Sequence, residues 1–255
     1  MLSSFKSHIT RNATLTELVT TELFDGVAES YLKLLLESSR VFEIDAHQEL
    51  LPTRDEVDYL YVILSGFVGI WMPSFFDPQR ENFVAWRGPG QIVGEMRTIG
   101  DFPAITRIST CEPCTILELR SDTLTDIADS SPAVYRNISR LLIKKMRQDR
   151  HRLEVIRSPS SAKRTVQTLL YLALERKTND GLVLRIQKIP GLIMQDEIAA
   201  YIGSKRETVN RNLRKLRKQN LISYERNKNG SEITILDYQQ LLNLATSANK
   251  TSQST

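Results

Sequence analysis

The densest set of charged donors in this 255-residue chain lies in Gln195–Leu216, QDEIAAYIGSKRETVNRNLRKL. From Ser204 to Gln219 seven basic side chains (Lys205, Arg206, Arg211, Arg214, Lys215, Arg217, Lys218) face one acid, Glu207. Cations at this density can neutralise phosphates, and arginine forks can match base edges. A basic helix face can also be merely solvated, so the uncharged positions decide. Ala199 is small enough for two helices to approach, Gly203 can take the positive φ of a tight turn, and Val209 can close the core between them. This spacing predicts a helix-turn-helix whose second helix suits a DNA major groove. Ser204-x-x-Glu207 fits a capping box at the start of that helix, with Lys205 as the alternative flanking residue.

The elements that must carry this head differ from it in charge. Residues 1–135 hold 10 Lys/Arg against 20 Asp/Glu, residues 136–157 hold 8 against 2, and residues 158–230 hold 15 against 6. Phosphate contacts therefore belong to the back half. There is no run of about 18 apolar residues, and the first residues lack the apolar core of a signal peptide, so a cytoplasmic protein without membrane contact is expected.

Apolar positions from Leu15 to Leu36 suit short amphipathic helices, interrupted near Asp25-Gly26. Short β-type runs follow at Val41–Ile44, Tyr59–Leu64, Phe67–Met72, Phe83–Trp86, Ile105–Ile108 and Thr115–Leu119. Turn signals at Ser65-Gly66, Asp77-Pro78, Gly88-Pro89-Gly90 and Asp101-Phe102-Pro103 separate them, which predicts a small antiparallel barrel or roll. Pro132 suits a first helical position, and the 25 residues after it, to Arg157, contain no Gly or Pro, which predicts one long helix. Its Leu142, Met146, Asp149, Leu153 and Ile156 recur at coiled-coil spacing, as the seam of a homodimer would; the polar Asp149 either fixes register or marks an open part of the seam. The alternative is a helix buried within one subunit. Val134, Ile138 and Leu141 form a second stripe, expected to face the roll.

Ser158-Pro159-Ser160-Ser161 reads as a solvated hinge, followed by a helix over Lys163–Glu175, a turn at Thr178–Gly181 and a strand over Leu182–Ile186. Asn229-Gly230, flanked by alternating apolar residues, predicts a hairpin that makes the helix-turn-helix winged, with Arg226 and Lys228 near flanking phosphates. The polar stretch 245–255 is expected to be disordered.

YLYVILSGFVGIW (Tyr59–Trp71) and GPGQIVGE (Gly88–Glu95), followed at this distance by the helix-turn-helix, resemble the CRP/FNR transcription regulators over nearly the whole chain. The resemblance implies an α+β fold: a sensor with helical leader and antiparallel β-roll (1–130), a dimerisation helix (131–157) and a winged helix-turn-helix domain (158–244). It implies a homodimer on palindromic double-stranded DNA, with RNA polymerase as a partner and a small-molecule effector at the roll.

GSKRETVNR is similar to the cyclic-AMP-receptor type of recognition helix. By that likeness Arg206 would meet guanine O6 and N7, Glu207 a cytosine amino group and Arg211 a third position, giving half-sites resembling TGTGA. Ser204, Lys205, Thr208, Asn210, Arg214, Lys215 and Lys228 would meet the backbone. Gly94 and Glu95 match the ribose side of the family's nucleotide pocket. The phosphate stretch departs from it: Asp101-Phe102-Pro103-Ala104-Ile105 lacks the Arg-Ser pair, and Arg97 or Arg107 would have to substitute. On the long helix, bulky charged Asp149 and Arg150 stand where small hydroxyls meet the base. Cyclic AMP is therefore not the expected effector, and no cofactor is assigned.

Cys111-Glu-Pro-Cys114 has redox or metal spacing, but residues i and i+3 on a strand point to opposite faces, which favours two structural thiols. Two cysteines are also too few for an iron–sulfur centre of the family type. His8, His47 and His151 are scattered, and His151 is expected at the surface. No nucleophile–base pair, phosphate loop or metal cluster suggests an enzyme. A cyclic-nucleotide-type sensor acting through protein partners remains the alternative, against which the base-reading residues argue.

Overall fold

The computed structural model describes residues 7–51, 59–77, 80–100, 106–174, 188–189, 195–227 and 230–246. The chain forms two compact units, Met1–Arg150 and His151–Thr255.

In the first unit the elements are β1 (Ser7–Asn12), α1 (Leu15–Val19), α2 (Glu29–Ser38), β2 (Arg40–Ile44), β3 (Glu49–Leu51), β4 (Tyr59–Ser65), β5 (Val68–Pro73), β6 (Glu81–Arg87), β7 (Ile92–Val93), α3 (Glu95–Gly100), β8 (Arg107–Thr110), β9 (Cys114–Arg120) and α4 (Ser121–Ser130). The long helix α5 (Pro132–Arg157) follows. Two antiparallel sheets, ordered β1-β2-β9-β4-β7 and β3-β8-β5-β6, make the roll. The Ile105–Ile108 run is realised as β8, with Ile105 outside the described residues.

Strand periodicity places the two cores. Val41, Leu60, Val62, Leu117 and Leu119 turn outward onto the helices, joining Leu18, Leu23, Leu32, Leu35, Leu124, Val134, Ile138 and Leu141. Their neighbours Phe42, Tyr61, Ile63 and Ile116 turn inward against Val68 and Ile108 of the other sheet. A central strand buried on both faces has no polar side, which is why β4 reads as a nearly continuous apolar run. The outward cluster also contains the expected stripe of α5, and Asn137 between those positions donates to the Leu23 and Asp25 carbonyls at 3.1 and 2.8 Å.

The leader begins with a feature the periodicity did not reveal. Thr14 caps α1, and Glu17 accepts from the Thr14 amide in a complete capping box. Arg11 holds Glu17 from the other side, so this carboxyl lies at about 2.

In the second unit are α6 (Ser161–Leu174), β10 (Lys188–Ile189), α7 (Gln195–Tyr201), α8 (Arg206–Lys218), β11 (Ile222–Asn227), β12 (Gly230–Ile235) and α9 (Tyr238–Thr246). The sheet order is β10-β12-β11. Pairing of Asn227 with Gly230 closes the wing hairpin one residue earlier than Asn229-Gly230 predicts, since Gly230 is already the first residue of β12. The turn at 178–181, the strand over 182–186 and Lys228 lie outside the described residues, as does the Arg226 side chain.

The two compact units part at Arg150/His151, inside α5. Two expectations need correction here. Ser158 is not solvated: it is buried, its hydroxyl donates to Gln167 Oε1 at 2.7 Å, and its carbonyl accepts from Arg164 at 3.2 Å. The segment expected to be disordered from residue 245 starts inside α9, where Ala245 is buried; residues 247–255 lie outside the described residues.

Candidate functional site

The helix-turn-helix is built by local hydrogen bonding. At the end of α7 the Gly203 amide donates to Ala200 O at 3.4 Å and the Ser204 amide to Ala199 O at 2.8 Å, the pairing of a Schellman motif. Gly203 sits at φ +61°, where an L side chain would be strained. Because that motif uses the Ser204 amide, α8 starts one residue later than the capping-box spacing suggests. Lys205 is the N-cap and makes no side-chain cap bond, so the Ser204–Glu207 box is not formed. Ala199, Ile198 and Ile202 at α7 and Val209, Leu213 and Leu216 on α8 are buried.

Burying that stripe leaves the polar stripe of α8 outside. Lys205, Arg206, Glu207, Arg211, Arg214, Lys215, Arg217 and Lys218 are exposed, and Ser204, Thr208 and Asn210 are half-buried. Arg206 Nη1 donates to Asp196 Oδ2 of α7 at 3.1 Å. Asn212 Nδ2 turns inward to Thr165 Oγ1 at 3.0 Å, tying α8 to α6. Lys215 lines a cavity of about 190 Å³ with Lys163 and Val166 of α6 and Leu244 of α9.

At the roll, Gly94 takes φ +93°, and a Cβ there would lie 2.8 Å from Tyr59 O. Glu95 follows as the first residue of α3 and is ion-paired with Lys145 of α5 at 2.7 Å, both side chains nearly buried (16% and 11% exposed). Burial pushes the Lys145 ammonium down, and Glu95 pulls it partly back. Beside this pair, buried Arg87 donates to Asp149 Oδ1 at 3.1 Å and to Trp86 O at 3.1 Å. Gln91 Nε2 donates to Gln148 Oε1 at 2.8 Å, while Gln91 Oε1 accepts from the Gly88 amide at 2.8 Å. The roll and its own helix are thus joined by side chains that pair with one another.

Two family models match this chain: a cyclic nucleotide-binding domain over residues 41–131 and a Crp-like helix-turn-helix domain over 163–244. The CRP-like cAMP-activated global transcriptional regulator of Mycobacterium tuberculosis is 25% identical over 219 residues, covering 86% of this chain and 94% of that protein. The anaerobic regulatory protein of Haemophilus influenzae is 26% identical over 214 residues, covering 82% and 77%. Among solved structures, FixK2 from Bradyrhizobium japonicum matches with a TM-score of 0.65 at 18% identity, covering 82% of this chain and 98% of that one. This chain belongs to the CRP/FNR family of transcription regulators.

Of the residues nominated for the effector, Gly94, Glu95 and the Arg87-bound Asp149 lie at the roll–helix junction. Arg107 is engaged elsewhere: Nη2 and Nε donate to Glu81 Oε2 at 2.6 and 2.8 Å, and the guanidinium lies 5.0 Å from the Trp71 ring centroid. Arg150 is exposed, and the Arg97 side chain and residues 101–105 lie outside the described residues. Arg87, Gln91, Lys145 and Gln148 were missed. Only their polarity amid apolar neighbours, as in Trp86-Arg87, could have flagged them.

The seam positions differ in exposure. Met146, Leu153 and Ile156 are exposed, as is Ile143, while Leu142 is half-buried against the roll's outer core. Asp149 does not lie free in that row; it is held by Arg87 of its own chain. His151, expected at the surface, is half-buried, with its ring stacked on Tyr171 at 4.8 Å and 17°. Cys111 and Cys114 are both buried, and burial pushes the Cys114 thiol up to about 12, which suits packing better than redox or metal chemistry.

Proposed function

We propose that this regulator binds palindromic promoter DNA as a homodimer, each copy reading a half-site resembling TGTGA through Arg206, Glu207 and Arg211. The observation that carries this reading is α8 itself: its apolar stripe is buried, and its first turns present two arginines and one glutamate to solvent from a rigid turn. An ionised carboxylate only accepts, so Glu207 suits a cytosine amino group, and the arginine forks suit guanine. Lys205, Thr208, Asn210, Arg214 and Lys215, with Ser204 and Lys228, meet phosphates and set the register. Dimerisation runs along Met146, Leu153 and Ile156 of α5, whose exposure on one long helix supports a second copy as partner. The protein works in the cytoplasm with RNA polymerase. Among the described residues no helix is long and apolar enough to cross a membrane.

The roll senses something other than cyclic AMP. The M. tuberculosis relative is named as cAMP-activated. In this chain, however, Glu95 is engaged by Lys145, and Asp149, which stands where the family offers a small hydroxyl, is engaged by Arg87. A ligand acts only through its differential affinity for the DNA-competent state. Selection from random DNA with the purified protein should therefore return two inverted half-sites rich in G·C at the nominated positions, with affinity unchanged by cyclic AMP. Half-sites without G·C preference would end the base assignments, and a cyclic-AMP response would end the effector reading.

A further inference from the structure

Arg206 and Glu207 are consecutive on α8, so their side chains leave the helix about 100° apart. Glu207 and Arg211, four residues apart, share one stripe. Arg206 therefore starts from the flank of the helix, and on that flank Asp196, in the first turn of α7, meets it at 3.1 Å. Both side chains remain more than half exposed, at 59% and 52%, so the pair lies at the surface and not in the core between the helices. Exposed ion pairs add little to stability, which makes a purely structural reason for this one weak.

We propose that Asp196 is a positioning and specificity-determining residue, which holds the Arg206 fork for guanine and keeps it from phosphate. The inference rests on Arg206 being a base reader. A guanidinium has five N–H donors, and the contact to Asp196 engages Nη1, leaving Nη2 and Nε for O6 and N7. An untethered arginine on the helix flank can equally reach a phosphate, which improves binding to every sequence and discriminates between none. A carboxylate beside it opposes that: it repels the backbone and makes the bidentate base contact the arginine's best alternative to its own partner. Asp196 thus weakens binding overall while widening the gap between right and wrong sites.

The test measures affinity of the full-length protein for its selected site, for the same site with the Arg206-read base pair replaced, and for random duplex. Variants are Asp196→Asn, Asp196→Glu, Arg206→Ala and the Asp196→Asn/Arg206→Ala double. Asp196→Asn should tighten random-duplex binding and lower preference at that one base pair on the order of fivefold, the low end of the worth of a bidentate arginine–guanine contact. Asp196→Glu should keep most of the preference, and Asp196→Asn should change nothing further once Arg206 is alanine. Unaltered preference in Asp196→Asn, or an equal loss in the Arg206→Ala background, overturns the positioning role while leaving the base assignment standing. If Arg206→Ala itself leaves every base preference intact, the base assignment fails and this inference with it.

Discussion

The reading head and the roll use charge in opposite ways. On α8 the ionic side chains point into solvent, with Asp196 on Arg206 the one ion pair seen among its described residues. At the roll–helix junction Arg87 and Lys145 are buried, and each faces a carboxylate across the gap. A surface that must release counterions to a polyanion does well to keep its cations solvated and unpaired. A junction that pairs its own charges has replaced part of what a ligand would supply.

The sharpest way to break this comparison is at Lys145. Lys145→Met leaves Glu95 nearly buried beside apolar atoms, and removing one partner of a buried pair costs about 3–5 kcal/mol. Both tryptophans of the chain, Trp71 and Trp86, lie in the roll, so urea unfolding followed by tryptophan fluorescence reports this unit alone. A midpoint within error of the wild type would show that the pair is solvated and the junction not self-paired. Glu95→Gln combined with Lys145→Met should recover much of the loss.

The seam tests whether two heads act together. Met146→Lys places a charge in the proposed apolar contact and removes about 1.5–3 kcal/mol of burial per copy. Sedimentation should show dimers shifting towards monomers, and affinity for a full palindrome should fall towards that for a single half-site. An unchanged dimer would move the interface off this face.

Within the head, Arg211 and Arg214 separate reading from anchoring. Arg211→Ala should cost about 1–3 kcal/mol and relax one base position, whereas Arg214→Ala should weaken all sequences alike and reduce the salt slope by about 1. Matching behaviour of the two would erase the distinction between base and phosphate contacts along α8.

How much of this was legible follows from the range over which each feature is encoded. The helix-turn-helix could be read because Ala199, Gly203 and Val209 act within eleven residues, each for a local steric reason. The roll's strands were legible where both faces are buried, as in β4, and not where a short strand such as Ile92–Val93 pairs at an edge. The junction was not legible, since Glu95 and Lys145, like Arg87 and Asp149, lie 50 and 62 residues apart, and a lysine turned inward looks in sequence like any solvated lysine. Asp149 illustrates the same limit: its heptad spacing pointed to the seam, but a buried guanidinium nearby claims its carboxylate. α9 was overlooked because nine residues after a hairpin give too short a pattern to separate from a tail.

The smallest effect tests whether the second unit carries a buried titrating group of its own. His151 stacks on Tyr171, Tyr171 lies parallel to Tyr201 at 6.2 Å, and the Arg152 guanidinium sits 5.2 Å from the Tyr201 ring. His151 Nδ1 is buried with no hydrogen-bond partner among the described residues. Burial pushes its imidazole below the ordinary 6.5, with Glu154 opposing. The unfolded chain then binds the proton more readily than the folded one, so stability is fully present above 6.5 and falls as pH drops through the lower folded value. His151→Phe keeps a ring on Tyr171 and removes the titration. Melting of the wild type should decline more steeply than that of His151→Phe as pH falls below 6.5, and an NMR titration of the ring should give the depressed value directly. Parallel pH profiles for the two proteins would place His151 in contact with water and remove the titrating group from this unit.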